Sequence, residues 1–203
     1  VNLPGTITAV SDYAFDDCKN LESITIPDSV TDIGYSAFRG CNSLERIDVD
    51  ENNPSYSSER GILFNKNKTE LIKCPALSGI TEYAVPDGVL NIADYAFYNC
   101  KSLASISISD SVRSIVDSAF ENCISLTSVT IPAGVTTIDY GTFDGCVSLK
   151  SIEFLGKITE IRNYAFRDCT NLSKVWINEN YVERLKKTVM STTGNEDLLR
   201  CLD

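Results

Sequence analysis

The sequence contains no histidine, one methionine and one tryptophan among its 203 residues. Histidine is the side chain that most often acts as a general acid or base and as a metal ligand near neutral pH. Its absence leaves only carboxylates, lysine, tyrosine or cysteine for such roles. Most catalytic interpretations are therefore disfavoured, and we expect no enzyme activity, no cofactor and no metal.

Basic residues are also scarce, and long apolar runs are missing. The 18 lysines and arginines stand against 28 acidic residues, which gives a formal net charge of -10. This charge would repel a phosphate backbone, so we expect no nucleic-acid partner. The apolar stretches fall far short of the roughly 20 residues that cross a bilayer, so the sequence predicts no membrane span. It begins at Val1 without a basic and apolar leader, and we expect a processed or trimmed chain.

The most informative feature that is present is a 23-residue repeat. Its markers are phenylalanines spaced by 23, 59, 23, 23 and 23 residues, namely Phe15, Phe38, Phe97, Phe120, Phe143 and Phe166. Each is followed three residues later by a cysteine and six residues later by a leucine, and five of the six are preceded by alanine. A unique globular core has no reason to demand the same residues at the same offsets, so we interpret the chain as a solenoid.

Each repeat contains the pattern of one short strand. After the leucine the apolar period changes to two, as in Ile24/Ile26 and Val129/Ile131, which is typical of a strand with one buried face. The step from Phe38 to Phe97 contains 36 extra residues that hide a degenerate repeat. There, segments 61–64 and 70–73 flank a polar stretch and predict a β-hairpin that projects from the stack. We expect about eight strands in all.

The C-terminal residues depart from this pattern. Tyr181, Val182, Leu185, Val189 and Met190 recur at helical spacing, and Leu198, Leu199 and Leu202 fit a second short turn. A solenoid needs a cap over its last open coil. We therefore predict a solenoid domain over 1–177, with a hairpin-bearing insertion at about 50–84, and a helical cap over 178–203. The predicted class is an α/β, right-handed leucine-rich-repeat superhelix with a parallel sheet.

The full repeat also resembles a known family. The pattern I-P-x-x-V-x-x-I-x-x-x-A-F-x-x-C-x-x-L-x-x-I-x, complete from Ile26 to Asp48, resembles the BspA-like leucine-rich repeats of bacterial surface proteins. The insertion that begins at Asp50 is similar to a hairpin-bearing module of that family. The resemblance implies a secreted or cell-surface protein, and adhesion to host matrix proteins or other cells for a few members. It implies no shared catalytic residues and no single ligand.

Residues that alternate with the buried pairs predict an exposed sheet face. The candidate contacts on it are Arg46, Asp48, Ser105, Ser107, Ser128, Thr130, Glu153, Lys174 and Trp176. Tryptophan is enriched in binding hot spots, although burial of Trp176 against the cap would explain it equally. A plain solvated β surface explains the hydroxyl-rich middle of the face at least as well as binding does.

The leading hypothesis is an extracellular or cell-surface recognition module that binds a protein or glycan, host extracellular matrix included. Its contacts would lie on this sheet face and on the hairpin at 61–73. The alternative, from a different class, is a structural spacer that displays another domain of a larger surface protein.

The cysteines follow the same repeat. Six of the eight lie in the inward column three residues after each phenylalanine. We predict that these thiols are free and buried, because packing explains their position and parallel Cβ vectors would strain a disulfide. Cys74 and Cys201 lie outside the column, and their state is left open. The absence of a Cys-x-x-Cys pair disfavours a metal site.

Overall fold

The computed structural model describes residues 1–178 and 199–202, which stack in about seven coils of β-strands and turns. Within these residues there is no helix, and hence no apolar helix that could cross a membrane. The solenoid is confirmed, whereas the helical part of the predicted α/β class is not found in the described residues.

Strands of successive coils form a front row, which is the sheet face. These strands are β2 (Ser23–Ile26), β4 (Arg46–Val49), β8 (Glu82–Ala84), β10 (Ser105–Ser107), β12 (Ser128–Ile131), β14 (Ser151–Phe154), β16 (Lys174–Asn178) and β17 (Leu199–Leu202). They pair in parallel as β2–β4, β8–β10 and β12–β14–β16–β17. Residues one repeat apart lie opposite each other, as Val129, Ile152 and Val175 do, and all three are buried.

A second row of short strands runs behind the first. It contains β1 (Ala9–Val10), β3 (Asp32–Ile33), β9 (Asn91–Ile92), β11 (Ser114–Ile115), β13 (Thr137–Ile138) and β15 (Glu160–Ile161). An antiparallel meander of β5 (Tyr56–Glu59), β6 (Ile62–Asn65) and β7 (Glu70–Lys73) joins this row, because β7 pairs in parallel with β9. The meander replaces the ordinary connection between two coils.

The phenylalanine motifs form the third side of the stack, which we call the turn edge. It consists of segments 11–18, 34–41, 93–100, 116–123, 139–146 and 162–169. In every segment the residues two before and two after the phenylalanine adopt left-handed backbone conformations, with φ between 51° and 69°. Two such residues in one turn are incompatible with a continuous α-helix, which is why these segments are turns. Backbone bonds join successive segments, as from Phe120 N to Thr142 O (2.9 Å).

Inside the turn edge, the phenylalanine and cysteine columns form ladders. Phe97, Phe120, Phe143 and Phe166 stack with centroids 5.0–5.9 Å apart and nearly parallel planes. Four of the column thiols donate to the phenylalanine carbonyl of the preceding coil, as from Cys123 to Phe97 O (3.2 Å) and from Cys146 to Phe120 O (3.1 Å). Cys100, which follows the meander, donates to Cys74 O at 3.6 Å instead. All seven cysteines within residues 1–178 are free, which confirms the free thiols predicted for the column. Six of them are buried, but Cys18 is exposed, so the predicted burial was wrong for this member of the column.

The meander divides the core into two clusters. Ile62 and Phe64 of β6 belong to a cluster of 35 buried residues that extends to Val175, whereas Leu63 between them belongs to a cluster of 11 around the first coils. Alternate side chains of β6 therefore point to different cores. The hairpin of β6 and β7 was predicted correctly, but its projection from the stack was wrong, because Ile62, Leu63, Phe64 and Leu71 are at most 1% exposed.

The C-terminal prediction was wrong at 199–202 and is not tested elsewhere. Residues 199–202 form β17, which pairs in parallel with β16 and places Leu199 opposite Val175. A strand at this position continues the front row by one further coil, so the exposed edge of β16 is paired rather than covered by a helical turn. The predicted helical spacing from Tyr181 to Met190 lies outside the described residues.

Candidate functional site

The structure divides the predicted sheet face into separate parts. Arg46 and Asp48 project from β4, are largely exposed, and form an ion pair at 3.0 Å. Strand β4 pairs only with β2 among the front strands, so these two residues share no ladder with the other seven candidates. The predicted face is therefore not one uninterrupted row.

The tip of the β5–β6 hairpin packs against β4. Ile47 N donates to Gly61 O at 2.9 Å, and Gly61 has a φ of 79°. A Cβ atom on Gly61 would lie 2.8 Å from Arg46 Cβ, so the contact requires glycine. The tip brings exposed Glu59 and Arg60 to this part of the face. Sequence reasoning missed both residues, because nothing local indicates which strand the hairpin contacts.

An exposed ion pair links strand β5 of the meander to the β6–β7 turn. Lys68 Nζ donates to Glu59 at 2.5 Å, and this ion pair lowers the pKa of the Glu59 carboxyl. Asn65 Oδ1 accepts from the backbone N–H groups of Thr69 (2.8 Å) and Glu70 (3.1 Å), which holds the β6–β7 turn. Within the proposed contact segment 61–73, only the polar stretch around Lys66, Asn67 and Lys68 is exposed.

The middle of the face carries small hydroxyl side chains. Ser105 and Ser107 of β10 are exposed and lie opposite Glu82 and Ala84 of β8, which are also exposed. This arrangement offers hydroxyl groups and one carboxylate but no large side chain. A surface of this kind contributes polar complementarity rather than a binding hot spot.

The C-terminal part of the face contains an outward-facing cross-strand row that includes a large aromatic side chain. Thr130, Glu153 and Trp176 lie side by side in register, and the row continues to the backbone of Arg200. Thr130 Oγ1 donates to Glu153 Oε2 at 3.5 Å. Trp176 is half-buried, so part of its surface remains open. We call Thr130, Glu153 and Trp176 the tryptophan row.

A parallel row beside it contains the remaining candidates. Ser128 lies opposite Ser151, which lies opposite Lys174, and both end members are exposed. Lys174 and Trp176 are two residues apart on the same strand and therefore share its outward face. The structure thus brings together Ser128, Thr130, Glu153, Lys174 and Trp176, and it leaves Arg46 and Asp48 apart.

A polar cavity of about 150 Å³ lies where the meander interrupts the turn edge. Its walls include Tyr35, Tyr56, Glu70, Lys73 and Asp94. Burial, and then the Asp94 charge, raise the pKa of Glu70, while burial lowers the pKa of Lys73. Lys73 Nζ donates to Tyr95 O at 2.7 Å and lies 6.0 Å from the Tyr98 ring centroid. Lys73 therefore bridges the gap left by the missing turn.

The buried thiols have the properties of structural cysteines. Burial raises the pKa of Cys41 to about 11 and that of Cys169 to about 12, so little thiolate exists near neutral pH. Cys74, which the sequence left open, is free and buried beside Cys100. No group of three or more Cys, Asp or Glu side chains in the described part of the chain has the arrangement of a metal site.

Comparison with known proteins relates nearly all of the chain to one repeat family. The model of the BspA type leucine rich repeat region matches residues 1–85 and 90–197 in six copies. A leucine-rich repeat protein from Eubacterium ventriosum ATCC 27560 is 32% identical, and the match covers 88% of this chain and 48% of that one with a TM-score of 0.80. A leucine rich cell surface protein from Faecalibacterium prausnitzii A2-165 is 31% identical, with coverages of 99% and 53% and a TM-score of 0.86.

A more distant structure shows the same fold. The pneumococcal vaccine antigen PcpA is 23% identical, and its match covers 97% of this chain and 60% of that one with a TM-score of 0.68. The chain spans about half the length of the first two relatives. No curated protein sequence matches it.

Proposed function

Because this chain belongs to the BspA-type leucine-rich-repeat family, we propose that it is a non-catalytic recognition module that binds a protein or glycan partner at the bacterial cell surface or outside the cell. The observation that carries the proposal is the tryptophan row. It offers an aromatic surface, a carboxylate and a hydroxyl group in register on an open face, with the Lys174 ammonium beside them.

The chemistry of this row suits recognition rather than reaction. A half-buried tryptophan is held rigidly by its strand, so little side-chain entropy is lost when a partner covers its open part. Glu153 and Lys174 supply opposite charges on either side of it, which orients a partner. The cell-surface relative from Faecalibacterium prausnitzii supports an extracellular location for this chain as well.

The proposal is tested by binding measurements on a panel of purified host extracellular-matrix proteins and on a glycan array. We expect at least one of these probes to bind. For that probe, Trp176→Ala should weaken affinity at least about 30-fold, as expected for a hot-spot residue, without a change in the melting temperature. The matched control is Arg46→Ala on the separate β4 sheet, which should change affinity by less than about threefold.

Two outcomes would contradict the proposal. If Trp176→Ala lowers the melting temperature but leaves affinity unchanged, the side chain packs the C-terminal coils and the contact lies elsewhere. If the isolated chain binds no probe while a longer protein that contains it binds through another domain, the chain is a spacer.

A further inference from the structure

The turn edge displays a row of exposed tyrosines that the sheet-face proposal does not involve. Tyr13, Tyr35, Tyr140 and Tyr164 are each 44–49% exposed, although tyrosine is a large and partly apolar side chain. They are arranged in edge-to-face pairs, with centroids 5.6 Å apart for Tyr13 and Tyr35 and 5.2 Å apart for Tyr140 and Tyr164. Tyr95 lies on the same edge and pairs with Tyr98 at 5.5 Å.

The turn backbone fixes these rings outward. Tyr13, Tyr95 and Tyr164 occupy the left-handed position two residues before the phenylalanine of their coils. Tyr35 and Tyr140 lie three residues before the phenylalanine of theirs. The backbones of Tyr35 and Tyr140 are anchored as well, because Asp12 accepts from Tyr35 N at 2.7 Å and Asp117 accepts from Tyr140 N at 3.2 Å. The rings are therefore presented by a rigid edge rather than by a mobile loop.

Two of these rings already bind guanidinium groups of the protein itself. Arg39 Cζ lies 5.7 Å from the Tyr95 centroid, and Arg167 Cζ lies 4.7 Å from the Tyr164 centroid. Both arginines reach back one repeat to an aspartate, Arg39 to Asp16 at 2.6 Å and Arg167 to Asp144 through Nε at 3.0 Å. At two places on the edge, therefore, an arginine stacks on a tyrosine ring and pairs with a carboxylate.

Three other rings on the edge also lie near carboxylates but hold no cation among the described residues. Within the described part of the chain, no cation lies over Tyr13, Tyr35 or Tyr140. Carboxylates are close at hand, since Asp12 binds the backbone of Tyr35, Asp117 binds that of Tyr140, and Asp94 accepts from Ser36 at 2.8 Å. The six turn segments carry nine carboxylates and three arginines, a net charge of -6 out of -10 for the whole chain.

We propose that the turn edge is a second interaction surface, which docks an arginine-rich segment of a partner protein. The partner's guanidinium groups would stack on Tyr13, Tyr35 and Tyr140 and pair with the neighbouring carboxylates, as Arg39 and Arg167 do within the chain. Guanidinium suits this surface better than ammonium, because it is planar, stacks on aromatic faces and forms forked bonds to carboxylates. This inference does not depend on the sheet-face function.

The experiment measures binding of labelled peptides in which glycine alternates with arginine or with lysine. We expect the arginine peptide to bind more tightly than the lysine peptide by about fivefold or more, because both carry the same charge and differ in stacking. The affinity for both should fall as salt is raised.

The test variant is Tyr13→Ser/Tyr35→Asn/Tyr140→Asn. Each new residue already occurs at the same repeat position in another coil: serine at Ser36 and Ser118 for position 13, and asparagine at Asn163 for positions 35 and 140. Its net charge is unchanged. It should bind the arginine peptide about tenfold more weakly and lose the preference over lysine. The matched control, Leu155→Ser, removes a side chain that is 52% exposed away from the turn edge and should bind as the parent does.

The charge contribution is tested separately with Asp12→Asn/Asp117→Asn, which keeps an oxygen for the two backbone N–H groups. This variant should bind both peptides more weakly and show a smaller salt dependence, while the preference for arginine persists. Equal binding of the two peptides by the parent, or an unchanged preference in the tyrosine variant, would overturn the proposal and leave only non-specific attraction to a negative surface. Glycan binding that the tyrosine variant loses, with no peptide binding at all, would replace it with a carbohydrate site.

Discussion

The coils before the meander and the coils after it are built from the same repeat but are packed to different degrees. In the N-terminal coils, Cys18 is exposed, and half-buried Phe15 packs against a cluster of only 11 buried residues. In the C-terminal coils, 35 buried residues form one cluster and four phenylalanines stack without interruption. A repeat's contribution to stability therefore depends on how many neighbouring coils it has, as expected for a one-dimensional stack.

The meander explains why the two regions are separate. Between Phe38 and Phe97 the phenylalanine ladder is interrupted, and Tyr83 contacts Phe97 at a tilt of 52° instead. Across this gap the turn edge is held by side chains, including the bond from Asn99 Nδ2 to Asn42 Oδ1 (2.7 Å) and the stack of Arg39 on Tyr95. Contacts of this kind are weaker than the buried stacking that they replace.

The largest expected effect is the loss of a central ladder residue. Phe120 is fully buried between Phe97 and Phe143, so Phe120→Ala should lower the free energy of unfolding by about 3–5 kcal/mol through the cavity it leaves. The same change at half-buried Phe15 should cost much less, about 1 kcal/mol. Denaturant melts of the two variants measure the difference. Equal losses would show that the N-terminal end is as well packed as the centre.

A pair of neighbouring residues on β6 tests the division of the core. Leu63→Ala should destabilise the N-terminal coils, whereas Phe64→Ala should destabilise the C-terminal coils, because their side chains enter different clusters. We expect losses of about 2–4 kcal/mol for each. Limited proteolysis with identification of the first cleavage sites reports which coils open. Identical cleavage patterns would mean that the two clusters unfold as one unit.

The reactivity of the cysteine thiols toward an alkylating reagent tests the packing of the same two regions. In the native protein, Cys18 should react with an alkylating reagent, whereas Cys41, Cys100, Cys123 and Cys146 should stay unmodified because they are buried and their pKa values are raised. After denaturation without reductant, all of them should react. Peptide mass spectrometry distinguishes the two states. Disulfide bridges within the column would contradict both the packing and the free thiols.

The smallest expected effect concerns a carboxylate on the turn edge. Burial raises the pKa of Glu121, so the ionised carboxylate destabilises the folded state. This loss of stability grows as pH rises from the pKa of the unfolded chain, near 4.5, through the higher pKa of the folded protein. Glu121→Gln should raise the melting temperature by about a degree or two at pH 7 and have no such effect at pH 4. Exposed Glu45→Gln is the control and should change little at either pH. A lower melting temperature for Glu121→Gln at pH 7 would show that the charge is stabilising.

The sequence predicted the solenoid because a repeat imposes the same environment on every copy, so that the phenylalanine, cysteine and leucine columns identify the core. It could not predict how the 36 extra residues fold, since their partners are set by contacts that no repeat specifies. Asn53 shows this well: it is fully buried and bonds to Pro27 O (2.7 Å) and Val30 O (2.9 Å), although its local sequence suggests an exposed polar turn.

The candidate sites were predictable to a smaller degree. Alternation along the strands correctly placed Thr130, Glu153 and Trp176 on one face, but it could not show that the hairpin tip at Gly61 sets Arg46 apart. The tyrosines of the turn edge were missed because they alternate between two neighbouring positions of the repeat. They become one surface only when the left-handed turns stack them.

Native-state hydrogen exchange followed by mass spectrometry tests the two-region structure most directly. Front-strand amides of β2 and β4 should exchange through openings that cost at least about 1–2 kcal/mol less than those of β12 and β14, because the smaller cluster opens while the larger one stays folded. Equal opening free energies across all four strands would contradict the division of the core by β6.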